Sequence, residues 1–107
     1  MEIADWRTKI DELDRRLVDL LSQRAHAAHE IGKLKKTAGM PIYEPDRERS
    51  VFEKVRRENR GPLSDPDLLR VYERIMDVMR QIQKEEIAPQ GPSDGSGHTE
   101  LESEVND

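Results

Sequence analysis

The sequence predicts an all-α fold: a three-helix protomer whose N-terminal helix is too long for its own chain to cover. Three observations carry this. Apolar residues recur at helical spacing, with no strand-like alternation anywhere in the chain. Of the 107 residues, 38% are charged and 34% hydrophobic, which suits long solvated helices better than a deep core. Gly39, Pro45, Gly61–Pro62 and Ser64 punctuate the chain where helices would stop and start.

The first helix is expected from about Ile3 to about Ala38. Ile3, Ile10, Leu17, Arg24 and Ile31 recur every seven residues, and Trp6, Leu13, Leu20, Ala27 and Leu34 form a second row, together an a/d seam. Gly39 supplies the stop, and Lys33, Lys35 and Lys36 complement the helix dipole in the last turns. Pro41 and Pro45 bracket a short connection. Pro45 then opens the second helix, with Asp46 and Glu48 in its first turn and Val51, Phe52 and Val55 on one face. That helix is expected to end near Gly61–Pro62. Ser64 reads as the N-cap of the third helix, with Asp67 three residues on. Leu68, Tyr72, Ile75, Met76, Met79 and Ile82 give it an apolar stripe that ends before Pro89. From Ala88 the composition turns to Gly, Ser, Pro and acids. Residues 1–87 are therefore expected to be the folded domain, and 88–107 an acidic, disordered tail.

Length forces a further expectation. A helix of this size spans roughly 54 Å, whereas a compact domain of this mass has a radius of gyration of only about 12 Å. The second and third helices are too short to cover the whole seam. The simplest solution is an intertwined homodimer, with no stable folded monomer.

The formal net charge of -5 argues against nucleic acid, and it is unevenly placed. Five of the 23 acids fall in residues 88–107, which hold no Lys or Arg, so the folded body balances 18 acids against 18 bases. The absence of cysteine removes disulfides and thiolate metal sites. His26 and His29 stand three apart, but no carboxylate pattern completes a metal site around them. No signal peptide or long apolar stretch is present, so a cytoplasmic location without membrane contact is expected.

Arg24 is the anomaly. It occupies an a position of the seam, and a guanidinium buried unpaired costs several kcal/mol. Either a buried acid pairs with it, or an anion binds there. Lys35 lies 11 residues on, close to three full turns, and so points nearly the same way. Arg7 lies about 25 Å from Arg24 along the helix, and could join the pair only from a partner chain running antiparallel. Each has an ordinary reading too: Arg7 as a solvated surface residue, Lys35 as dipole complement, Arg24 as a register device. Arg47 and Glu48 can be a solvated helix network, and Gln83, at the border of the third stripe, an unremarkable amide.

Taken together these residues resemble a family. The segments WRTKIDELDRRLVDLLSQR (Trp6–Arg24), EIGKLKKTAGMPIYEPDRE (Glu30–Glu48) and IMDVMRQIQ (Ile75–Gln83) are similar in order and spacing to the all-helical class of chorismate mutases. The resemblance covers residues 6–83. A coiled coil would share the heptads but not this joint placement of Arg7, Arg24, Lys35, Arg47 and Glu48.

The resemblance implies an intertwined dimer of three-helix protomers that rearranges chorismate to prephenate without a cofactor. It implies carboxylate clamps at Arg24 and at Arg7 of the partner chain, and a role for Lys35 between a carboxylate and the ether oxygen. Gln83 would donate to that same oxygen and Glu48 would accept from the ring hydroxyl. Arg47 would add charge and orient its neighbours, and Glu44 stands where the family often has a carboxylate. The catalytic set is thus Lys35, Gln83 and Arg24. One position departs: a small polar residue is common a turn before the glutamine, and here that turn offers Met79 and Arg80. Three alternatives stay open. They are an isochorismate-pyruvate lyase on the same fold, a regulatory or ligand-sensing module attached to a partner enzyme of aromatic biosynthesis, and a structural coiled coil.

Overall fold

The computed structural model describes residues 1–87, so the expected tail lies outside the described residues. Three helices follow in order: α1 (Ile3–Ala38), α2 (Pro45–Glu58) and α3 (Asp65–Ile87).

Local chemistry sets each boundary. At the start of α1 the Glu2 N–H donates to Asp5 Oδ2 at 2.9 Å, half of a reciprocal capping box. At its end Gly39 takes φ 68°, the left-handed conformation that glycine adopts without strain, and Met40 N–H donates back to the Lys35 carbonyl at 2.9 Å. Pro45 opens α2, where its missing N–H is no loss. Helix α2 stops at Glu58, short of the expected Gly61. The cause is Asn59. Its side-chain amide donates to the Leu63 carbonyl and to Asp65, both at 2.8 Å, and its oxygen accepts from Gly61 N–H at 3.0 Å. This local network competes with another helical turn. Ser64 caps α3 as expected, its hydroxyl accepting from Asp67 N–H at 3.2 Å.

Helix α3 is the hub. It packs along the C-terminal half of α1 and, antiparallel, along α2, while α1 and α2 make no close backbone approach to each other. Arg24 meets Met76 and Lys35 meets Gln83, so α1 and α3 run side by side in the same direction. The buried stripe of α1 is Ala28, Gly32 and Lys35, one face of the helix. Two small residues on that stripe let α3 come close. Val51, Met76 and Met79 complete a core that is small for a chain of this length.

The rest of the seam is uncovered. Ile3, Trp6, Ile10, Leu13, Leu17 and Leu20 are each 41–68% exposed. The molecule is 53 Å in its longest dimension, the length expected of α1 alone, and its radius of gyration of 16.7 Å exceeds that of a compact domain. Among the described residues no helix is long and apolar enough to cross a membrane.

Candidate active site

A pocket of about 330 Å³ opens between the C-terminal half of α1, the first turn of α2 and the second half of α3. Six of the seven residues expected from the sequence line it: Arg24, Lys35, Glu44, Arg47, Glu48 and Gln83. Arg7 does not. It is exposed on the N-terminal half of α1, beside the uncovered seam.

Lys35 is the centre of the pocket and only 5% exposed. Its ammonium donates to the Ile42 carbonyl at 2.8 Å and to Gln83 Oε1 at 2.9 Å, and pairs with Glu44 Oε1 at 3.0 Å. These contacts engage all three of its hydrogens. The Ile42 contact exists because Gly39 turns the chain back over the end of α1. The Gln83 contact fixes the amide: Oε1 faces Lys35, so the NH₂ group is the end left to donate elsewhere. Glu44 is the anionic partner, with 37% of its side chain accessible. It is the partner an incoming anion would displace most readily.

The anomaly at Arg24 resolves in one direction. Its guanidinium is half-buried and meets the sulfur of Met76 at 3.6 Å, a weak acceptor. Among the described residues no carboxylate pairs with it. A charge at a pocket wall with no counterion among the described residues is free to meet an anion.

Glu48 is not part of a solvated network within α2. Its Oε2 accepts from Arg80 Nε on α3 at 2.7 Å, in a pair whose side chains are 15% and 34% exposed. Arg80 is the residue the sequence reasoning passed over. It is held from behind by Asp77 at 2.6 Å and lies over the Tyr43 ring, 5.4 Å from its centroid. Burial works to lower its pKa, but the hydrogen bond and charge of Glu48, with Asp77 adding to them, more than offset that and raise it. The clue was periodicity: Met76, Arg80 and Gln83 fall on one face of a helix. Arg47 lines the pocket and is exposed, with no hydrogen bond to Glu44 or Glu48 among the described residues. The residue that hydrogen-bonds Glu48 is Arg80.

The chemistry of this arrangement is specific. Arg24, Lys35, Arg47 and Arg80 face Glu44 and Glu48, an excess of two positive charges from one chain, against apolar walls that include Ile31, Val51 and Met79. That suits a small dianion with an apolar body. No cysteine is present and no serine lines the pocket, so covalent catalysis has no nucleophile of those types here. Among the described residues no three of His, Cys, Asp and Glu cluster as a metal site.

The family model for chorismate mutase type II matches residues 6–84. The chain is 34% identical over 96 residues to the bifunctional chorismate mutase/prephenate dehydratase of Aquifex aeolicus, covering 85% of this chain and 26% of that protein. It is 37% identical over 84 residues to the T-protein of Enterobacter agglomerans, covering 78% of this chain and 21% of that protein. A protein named chorismate mutase in Methanocaldococcus jannaschii is 25% identical over 85 residues, which make up 86% of its length. The chain thus spans about a quarter of the bifunctional relative and most of the archaeal one.

Proposed function

The chain belongs to the chorismate mutase type II family, and on that footing we propose that it converts chorismate to prephenate by a cofactor-free pericyclic rearrangement. The observation that carries this reading is Lys35. It is a buried ammonium in hydrogen-bond contact with Gln83, in one pocket with an arginine that has no carboxylate partner among the described residues.

Chorismate carries two carboxylates, an ether oxygen and a ring hydroxyl. The rearrangement needs the substrate folded into a chair-like conformation, and positive charge where the breaking C–O bond leaves negative charge on the ether oxygen. Arg24 and Arg7 of the partner subunit clamp the carboxylates, since a guanidinium fork binds carboxylate in bidentate fashion and stays charged. Lys35 releases Glu44, and the hydrogen this frees is shared between the ether oxygen and a carboxylate. Gln83, its amide already oriented by Lys35, offers its NH₂ group to the same oxygen. Glu48 accepts from the ring hydroxyl through the oxygen that Arg80 leaves open. Arg47 adds charge at the rim. The donors are in place before the substrate arrives, so little reorganisation is needed as charge develops.

The dimer belongs to the same proposal. The uncovered row Ile3 to Leu20 supports a partner helix on that face, and Arg7 beside it supports a site shared between chains. A cytoplasmic location goes with this biosynthetic reading. An enzyme acting on prephenate is the partner it expects, since the Aquifex relative's name joins the mutase to a prephenate dehydratase.

The test is disappearance of chorismate absorbance with purified protein, the product being identified as prephenate by acid conversion to phenylpyruvate. Turnover that vanishes in Arg24→Ala is expected. A folded protein that leaves chorismate unchanged would overturn the reading.

A further inference from the structure

The arginine on α3 that faces the pocket lies outside the clamp and donor set described above. We propose that Arg80 is a positioning residue that sets substrate recognition at the ring hydroxyl, acting through Glu48; this rests on the mutase reading of the pocket.

Three contacts define the arrangement. Arg80 Nε donates to Glu48 Oε2 at 2.7 Å, a second guanidinium nitrogen donates to Asp77 at 2.6 Å, and the guanidinium carbon lies 5.4 Å from the Tyr43 ring centroid. The guanidinium is therefore fixed from three sides: by its own helix, by the α1–α2 connection and by α2. A carboxylate on a free glutamate side chain samples several rotamers, and Glu48 stands near the start of α2 with 15% of its side chain exposed. Tying one oxygen to Arg80 leaves Oε1 as the acceptor presented to the pocket. Among the described residues Oε1 has no hydrogen-bond donor of its own, so a hydroxyl on the ligand is the group it can accept from.

Charge supports an indirect role. Arg80 is already neutralised by two carboxylates, Glu48 and Asp77, whereas Arg24 has none among the described residues. A ligand carboxylate gains more at Arg24 than at an arginine that would first have to give up an ion pair. The cation on α3 is thus committed to Glu48 and not to the substrate's carboxylates.

The hydroxyl does not change charge during the rearrangement, so its hydrogen bond is equally good in the ground and transition states. Losing it raises KM and leaves kcat nearly unchanged.

The test compares chorismate with an analogue bearing hydrogen in place of the ring hydroxyl. In Arg80→Met, kcat/KM for chorismate is expected to fall about 10-fold to 100-fold, the range for a hydrogen bond to a charged group, chiefly through KM. With the deoxy analogue the same variant is expected to stay within about threefold of wild type, because Glu48 then has nothing to orient. Arg80→Lys keeps a cation beside Glu48 and is expected to recover part of the loss. Glu48→Gln combined with Arg80→Met is expected to be no worse than Glu48→Gln alone. A loss of equal size on both substrates would assign Arg80 to the substrate's carboxylates and overturn the proposal, as would an unchanged chorismate KM in a folded Arg80→Met. Wild-type protein without turnover would instead overturn the mutase reading and this proposal with it.

Discussion

Lys35→Met removes the charge at the centre of the pocket while keeping most of the hydrocarbon stem. The side chain is 6% exposed and sits 2.8 Å from the Ile42 carbonyl, 2.9 Å from Gln83 Oε1 and 3.0 Å from Glu44. Two effects follow. A preorganised donor aimed at a developing oxyanion contributes roughly 3 kcal/mol to the transition state, so kcat is expected to fall at least about 100-fold. The structural effect is comparable. Loss of the ammonium strands the Ile42 carbonyl and the Gln83 amide oxygen, at about 1–3 kcal/mol each and so about 2–6 kcal/mol together. The Glu44 pair adds little to this, since that carboxylate is more than a third exposed and screened by solvent. A domain of this size loses about 4–8 °C in Tm for each kcal/mol, so the variant melts well below wild type and its helicity is measured at the temperature of the assay. The assay is initial-rate loss of chorismate, with circular dichroism on the same sample at the same concentration, since the stability of the proposed dimer depends on concentration. A helical variant whose kcat lies within tenfold of wild type would refute the assignment of Lys35 as the transition-state donor.

Three further outcomes are expected. Gln83→Glu should be active only at acid pH. A carboxyl at the ether oxygen donates only when protonated, and the Lys35 ammonium at 2.9 Å lowers its pKa, so the rate rises as pH falls through that value; a pH profile matching wild type would count against the role. Arg7→Ala and Arg24→Ala subunits, each inactive, should on mixing recover about a quarter of wild-type activity, because half the dimers are mixed and each of those holds one intact shared site. Subunit exchange verified by mass, with no recovered rate, would remove the shared site. Arg24→Leu should raise Tm and abolish turnover together, since Arg24 is a half-buried charge without a carboxylate partner in a helix seam. A lower Tm would mean that Arg24 serves the fold.

Much of the local structure was legible from neighbouring residues alone. Gly39, Pro45 and Ser64 set helix ends because caps and turns depend on a few consecutive residues. Asn59 was missed as the stop for α2 because its bonding reaches forward to Leu63 and Asp65, and requires the turn to exist first. Arg24 and Lys35 were recognisable as a pair because one helix carries both, and a helix converts residue spacing directly into direction.

What the sequence by itself determined is therefore the helices, their caps, the apolar row too long for one chain to cover, and a cation set where an aliphatic residue belongs. Only the tertiary structure decided what those groups meet. Glu48 and Arg80 are 32 positions apart and Lys35 and Gln83 are 48 apart, on different helices. Whether such groups touch depends on how far one helix is rotated and shifted against another. That offset is set by how the buried residues of the helices fit together, Ala28 and Gly32 on α1 and Met76 and Met79 on α3 among them, not by any local pattern. Among the described residues the same packing brought no carboxylate to Arg24. Periodicity can place a charge on a seam, but only three-dimensional packing can leave it without a counterion.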